Sequence, residues 1–159
     1  MTTLTVQRRI AAPADLVFTA ITDIARLPDT NKDVLSVEFL TEQRAGVGTR
    51  FRETRRMGKG ELVTELEVAE YDPVRRRYRA VTDTDGTTWD TAFRVEQGEG
   101  EATLTIEMDA RGHTWLKRTR NTLMKGLFRR GMESHLNELQ AWCEKEAQGA
   151  SAMEQSRSN

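Results

Sequence analysis

The sequence WLKRTRNTLMKGLFRRGMESHLNELQAWCEKE, residues 115–146, contains no proline and predicts one long helix. A mainly apolar series recurs in it at steps of four: Thr119, Leu123, Leu127, Gly131, His135, Leu139 and Cys143. Each such step advances about 40° around a helix of about 3.6 residues per turn, so the stripe rotates along the helix. A rotating stripe is typical of a helix that crosses a twisted sheet obliquely, and it does not suit a coiled-coil seam.

The chain before this helix predicts an antiparallel sheet. Apolar and polar residues alternate in short runs that are separated by turn signals, and residues 34–110 show no helical pattern. Strands are predicted near residues 3–10, 35–39, 49–56, 62–71, 77–82, 89–95 and 104–108. Short turns between successive strands imply antiparallel pairing.

Two short helices are expected between the first two strands. Pro13 fits the start of a helix, and Leu27-Pro28 predicts its end. Residues 29–33 suit one further helical turn. The resulting fold class is α+β, a curved seven-stranded antiparallel sheet around a long C-terminal helix. Residues 1–147 form one domain in this interpretation, and residues 148–159 a disordered polar tail.

A single helix is too narrow to fill the concave face of a seven-stranded sheet. We therefore expect an elongated cavity between the sheet and the C-terminal helix.

Composition excludes several classes of protein. The 159 residues carry 24 basic and 25 acidic side chains, a net charge of −1, so no overall field attracts nucleic acid. One cysteine and two histidines leave too little material for a disulfide framework or a metal site, and no cofactor is expected. The N-terminal residues lack the apolar run of a signal peptide, and no run is long enough to span a bilayer, so a cytoplasmic location is expected.

Several short motifs occur in a characteristic order along residues 3–145. They are Val6 and Ile10, Ala12-Pro13 with Val17-Phe18, Ile21 and Asp23, Leu27-Pro28, the segment GVGTRFR at residues 46–52, and Tyr71-Asp72-Pro73. In this order the sequence resembles the START-like, or SRPBCC, superfamily, which includes the Bet v 1-type proteins and the polyketide cyclase/dehydrase group. The resemblance implies a helix-grip fold with a cavity for a hydrophobic ligand.

Period two along the third strand places Glu53 and Arg55 on the same face as Phe51. If that face is the inner one, the two charged groups serve as a polar anchor or as acid/base groups, with Tyr78 as a further catalytic candidate. The alternative is a solvated sheet edge at which Glu53 faces water.

The expected cavity wall is mostly apolar. Its candidates are Phe51, Leu66, Tyr78, Trp89, Phe93, Ile106, Met108, Leu123 and Leu127, with Thr64, Thr82 and Thr91 as hydrogen-bonding groups. The ligand-binding set predicted from these residues is Phe51, Glu53, Arg55, Leu66, Tyr78, Trp89, Thr91, Phe93, Ile106, Met108, Leu123 and Leu127.

The remaining reactive groups have plainer interpretations. His135 lies on the rotating stripe, as a packed side chain or as a base in contact with the ligand, and His113 is expected on a surface loop. Cys143 is expected to be a buried structural thiol.

The basic run in the C-terminal segment has two interpretations. No acidic residue occurs between Asp109 and Glu133, where seven basic residues lie. They form the solvated face of an amphipathic helix or, alternatively, a surface that contacts an anionic membrane.

Three functions follow from these observations. The first is a binding protein, monomeric or homodimeric, for a small hydrophobic or aromatic molecule. The second is a polyketide cyclase/aromatase-type enzyme that uses the same cavity. The third is a lipid-transfer protein associated with a membrane or a quinone, or a protein-interaction role.

Overall fold

The computed structural model describes residues 2–158, with the side chains of residues 3–158. A 3-10 turn at Ile24–Arg26 joins the first two helices. The elements in chain order are β1 (Thr2–Ile10), α1 (Ala14–Thr22), α2 (Leu27–Thr30), β2 (Val34–Phe39), β3 (Arg50–Met57), β4 (Gly60–Asp72), β5 (Arg77–Thr84), β6 (Thr87–Gln97), β7 (Ala102–Gly112), α3 (Trp115–Leu123) and α4 (Lys125–Arg157).

All seven strands form one antiparallel sheet in the order β1-β7-β6-β5-β4-β3-β2. The register shifts once in β2 and once in β4, between Val68 and Glu70. Such irregularities bend a strand and increase its twist, which helps the sheet to curve. The predicted α+β helix-grip architecture is confirmed.

The core lies where α1 and the middle of α4 pack on the sheet. Val17, Leu104, Leu136 and Leu139 are fully buried there. Arg8 interrupts the apolar face of β1 in the sequence, and the structure gives the reason. Its guanidinium donates hydrogen bonds to Glu133, at 2.9 Å, and to Asn137 and Gln140, and so ties β1 to α4.

The prediction of one continuous C-terminal helix is wrong. The helix breaks at Met124, which has φ −86° and ψ 1° and separates α3 from α4. The end of β7 fixes the position of α3: a Cβ on Gly112 would lie 2.6 Å from the backbone nitrogen of Arg118. Asn121 is the buried residue of α3, and its amide donates to Thr87 Oγ1 at 3.3 Å. Packing at β7, not the apolar stripe, therefore sets the orientation of α3.

Two further boundaries differ from the sequence prediction. Leu27-Pro28 begins α2 instead of ending a helix, because proline is well tolerated in the first turn. Residues 148–157, predicted as a disordered tail, continue α4. Extending an existing helix gains one hydrogen bond for each residue added and avoids the cost of nucleation. Alanine, methionine, glutamate and glutamine in this stretch are also good helix formers. Asn159 lies outside the described residues.

Candidate ligand-binding site

A cavity of about 280 Å³ lies between the concave face of the sheet and the helices α1, α2 and α4. Most of its wall is apolar. The apolar lining consists of Ile21, Leu27, Val34, Phe51, Leu66, Ala80, Trp89, Phe93, Ile106, Met108, Met132 and Leu139. The expectation of a hollow between sheet and terminal helix therefore agrees with the structure.

Ten of the twelve residues in the predicted ligand-binding set line this cavity. They are Phe51, Glu53, Arg55, Leu66, Tyr78, Trp89, Thr91, Phe93, Ile106 and Met108. Thr82 lines it as well, whereas Thr64 does not. The sequence pattern identified these strand residues because alternate side chains along a strand share one face of the sheet.

Leu123 and Leu127 were expected in the cavity wall, and that expectation is wrong. Their side chains are 81% and 58% exposed. The break at Met124 and the inward orientation of Asn121 turn them to solvent, and Met132 and Leu139, further along α4, take their place in the wall.

An ion pair with a buried carboxylate and a partly exposed guanidinium lies in the wall of the cavity. Arg55 Nε donates to Glu53 Oε1 at 2.8 Å, and Glu53 is only 7% exposed. Of the two interpretations of Glu53, this burial favours the cavity over a solvated sheet edge. A buried carboxylate requires such a partner, and its remaining lone pairs are available to a polar group in the cavity.

Tyr78 and His135 border this pair. Burial and then the negative charge of Glu53 raise the pKa of Tyr78 well above its ordinary value, so its hydroxyl remains protonated. Burial and then the positive charge of Arg55 lower the pKa of His135 to about 4, against an opposing effect of Asp33. His135 is therefore neutral near pH 7, with one ring nitrogen that donates and one that accepts.

Asn31 completes the polar part of the wall, and the sequence analysis missed it. Its Oδ1 accepts from the backbone N–H of Asp33 at 3.1 Å, which fixes the orientation of the amide. Nδ2 is then a buried donor without a partner among the described residues. The Asn31-Asp33 spacing is typical of a simple turn, so the sequence carried no signal of a cavity residue.

The other reactive groups lie away from the cavity. His113 is on the surface, 3.2 Å from Asp83. Cys143 is buried in the core, where burial raises the pKa of its thiol to about 12 and suppresses thiolate chemistry. Within residues 2–158, no three histidine, cysteine, aspartate or glutamate side chains group as metal ligands.

Comparison with known proteins gives the family. Residues 1–144 match the family model described as polyketide cyclase / dehydrase and lipid transport. The chain belongs to this family. No curated protein matches it.

Solved structures share the fold of this family member at low sequence identity. A protein from Thermus thermophilus is 18% identical, with a TM-score of 0.70 over 94% of this chain and 99% of that one. A START superfamily protein from Mycobacterium smegmatis is 14% identical, with a TM-score of 0.68 over 93% and 98%. The Zhui aromatase/cyclase from Streptomyces is 17% identical, with a TM-score of 0.72 over 91% and 94%.

The low pKa of His135 predicts a pH dependence of stability for this polyketide cyclase family member. The unfolded chain binds a proton at about pH 6.5, which the folded chain resists down to about pH 4. Above pH 6.5 His135 is neutral in both states and the free energy of unfolding is at its full value. As the pH falls toward 4 the unfolded chain gains a proton that the folded chain does not, and the free energy of unfolding falls by about 2 kcal/mol for a partly exposed ring. Urea unfolding of wild type and His135→Gln between pH 7 and pH 4 measures it; we expect a flatter curve for the variant. Identical slopes would contradict the burial of a neutral ring.

Proposed function

We propose that the protein binds a compact, largely apolar and aromatic molecule that carries carbonyl or hydroxyl oxygens. The observation that carries this proposal is a cavity with mainly apolar walls that is also lined by the polar side chains of Asn31, Glu53, Arg55, Tyr78 and His135. Arg55 donates a hydrogen bond to Glu53, and the charges of these two groups act on Tyr78 and His135. Asn31 Oδ1 accepts a hydrogen bond from the backbone N–H of Asp33. A cytoplasmic location is part of the proposal.

The dimensions of the cavity support a compact ligand. A volume of about 280 Å³ lies near the lower end of the range of roughly 300–1,000 Å³ for small-molecule sites. A lipid with two acyl chains is too large for it. Trp89, Phe93 and Phe51 offer flat apolar surfaces against which a ring system packs.

The polar side chains define the other end of the ligand. Asn31 Nδ2 is a buried donor without a partner among the described residues, and leaving such a group unpaired costs about 1–3 kcal/mol. The Tyr78 hydroxyl is a second protonated donor. Both favour a ligand that presents oxygen acceptors to this wall.

A second candidate function is an aromatase/cyclase-type reaction in the same cavity. Three structural neighbours carry that activity in their names, among them the di-domain proteins of the steffimycin and BE-7585A biosynthetic pathways. Here the cavity would hold a poly-carbonyl chain in a folded conformation and exclude water. Glu53 and His135 would accept protons, and Tyr78 and Arg55 would stabilise developing negative charge on oxygen. Glu53→Gln separates the functions: turnover depends on the carboxylate, whereas shape-based binding does not.

Ala80→Leu tests occupancy of the cavity. Ala80 lies in the wall and is 7% exposed, so a leucine fills space that the ligand needs. We expect a loss of affinity of at least about tenfold for an aromatic probe such as anilinonaphthalene sulfonate, measured by fluorescence titration. Ala92→Leu is the matched control, because Ala92 pairs with Arg79 on the other face of the sheet and is absent from the cavity wall.

The same titration, carried out with acetylnaphthalene and with naphthalene, tests the polar end of the cavity by comparing affinity for a compound with and without a carbonyl oxygen. Asn31→Asp keeps the oxygen that accepts from Asp33 but removes the amide donor, so the preference for the carbonyl compound should disappear.

Native mass spectrometry of protein purified from its own host identifies a bound molecule directly. Unchanged probe affinity in Ala80→Leu, or an equal loss in Ala92→Leu, would contradict binding in this cavity.

A further inference from the structure

Large apolar side chains are exposed together on α3 and the first turn of α4. Trp115, Leu116, Leu123 and Leu127 are 75%, 63%, 81% and 58% exposed. They are four of the ten exposed large hydrophobic residues described, yet they fall within thirteen consecutive positions. On α3, Trp115, Leu116 and Leu123 lie within about 100° of one another around the helix axis. We call these four residues the apolar α3 face.

The exposure of this face follows from the packing of the opposite side of α3. Asn121 is buried against Thr87, and Arg118 Nε donates to the carbonyl oxygen of Gly112 at 3.1 Å. The close approach of the helix backbone to Gly112 holds this orientation. An inward rotation of the leucines would have to break these contacts.

Basic residues are concentrated in the segment of sequence that carries the apolar α3 face. No acidic residue occurs between Asp109 and Glu133, whereas the interval holds Arg111, Lys117, Arg118, Arg120, Lys125, Arg129 and Arg130. Asp85, in the turn between β5 and β6, pairs with Lys117 and Arg120 at 2.8 Å each. Within residues 2–158, Lys125, Arg129 and Arg130 form no ion pair, so their charges are available to a partner.

We propose that the apolar α3 face docks on an anionic lipid bilayer. On α4, Arg130 lies about 60° from Leu127 around the helix axis, whereas Lys125 and Arg129 lie about 160° away. Exposed tryptophan and leucine in a segment with an excess of cations is a combination that binds at a membrane interface, where the rings and aliphatic chains enter the headgroup region and the cations attract lipid phosphates. The chain as a whole has a net charge of −1, so the attraction is local to this surface. The described helices include none that is long and apolar enough to cross a membrane, and docking requires none.

The docking surface adjoins the cavity described above. Phe128, the residue after Leu127, packs edge-on against Trp89 with ring centroids 4.8 Å apart, and Trp89 and Met132 line the cavity. Docking therefore brings one end of the cavity close to the bilayer. The docking itself does not depend on the ligand proposal, since it rests on surface residues alone.

Co-sedimentation with vesicles tests the docking. The full chain should sediment with vesicles of equimolar phosphatidylcholine and phosphatidylglycerol, and not with phosphatidylcholine alone. Leu116→Ser with Leu123→Ser should weaken binding at least about tenfold, because each leucine loses its transfer into an apolar phase. Val74→Ser is the control, since Val74 is 86% exposed in a separate turn. A triple change of Lys125, Arg129 and Arg130 to glutamine should weaken binding and reduce its salt dependence.

The outcomes separate the proposal from its alternatives. Thermal unfolding should be nearly unchanged in all these surface variants, which excludes misfolding as a cause. Equal sedimentation with both kinds of vesicle, or leucine variants that bind like wild type, would overturn it. Self-association of the protein through this face, without vesicle binding, would also overturn it and indicate a protein interface.

Discussion

Leu136→Ala should lower the free energy of unfolding by about 3 kcal/mol, whereas Leu123→Ala should change it by less than about 0.5 kcal/mol. Leu136 is fully buried in the core that α4 forms with the sheet, so its truncation leaves a cavity. Leu123 is 81% exposed and loses little buried area. Urea denaturation followed by circular dichroism measures both changes on the same residue type in the two helices.

The comparison tests the break at Met124. A continuous helix with a rotating apolar stripe places Leu123 toward the sheet, and both variants would then lose similar stability. Such a result would contradict the orientation of α3 and remove the apolar α3 face. A large loss for Leu136→Ala alone supports the structure as described.

The sheet was predictable from sequence because its determinants are local. Alternation along each run fixes which side chains share a face, and turn residues such as Asp85-Gly86 fix where the chain reverses. Both residues of that turn have positive φ, 51° and 66°, as a tight hairpin turn requires. The same period-two rule carried Phe51, Glu53 and Arg55 into the cavity wall.

The terminal helix could not be predicted in the same way. On α3, the sequence pattern allows either the leucine face or the face with Asn121 to pack against the sheet. Which of the two faces is buried depends on the close contact of the helix with Gly112 of β7. This contact between a strand and a helix is tertiary, and the periodicity of the helix alone does not reveal it.

The polar end of the cavity was only partly visible for a similar reason. Glu53 and Arg55 share one strand, so their proximity follows from spacing alone. Asn31 and His135 lie in α2–β2 and α4, more than a hundred positions apart in the sequence. Only the folded chain brings them to the same cavity.

Arg55→Met should cost about 3 kcal/mol of unfolding free energy, because it leaves the Glu53 carboxylate buried without its cation. The loss lies at the lower end of the range for buried pairs, since the Arg55 side chain is 36% exposed. Adding Glu53→Gln should recover about 2 kcal/mol, because the buried charge is gone. Urea denaturation of wild type, both single variants and the double variant gives the coupling energy.

Arg52→Met is the matched control for this cycle. Arg52 neighbours Glu53 in β3 but lies on the opposite face, where it pairs with Glu38 and Glu65 at 2.7 and 2.8 Å in the exposed region. Exposed pairs contribute little, so this variant should remain close to wild type in stability.

Equal losses in Arg55→Met and Arg52→Met would mean that water reaches the Glu53 carboxylate. A hydrated carboxylate needs no cation, and it would not serve as a desolvated acid/base group. The cyclase-type candidate would then lose its proton acceptor on β3, whereas binding by the aromatic wall of Phe51, Trp89 and Phe93 would be unaffected. A strong coupling of Glu53 to Arg55 instead supports a dry polar end, in which ligand oxygens compete with Glu53 for the guanidinium.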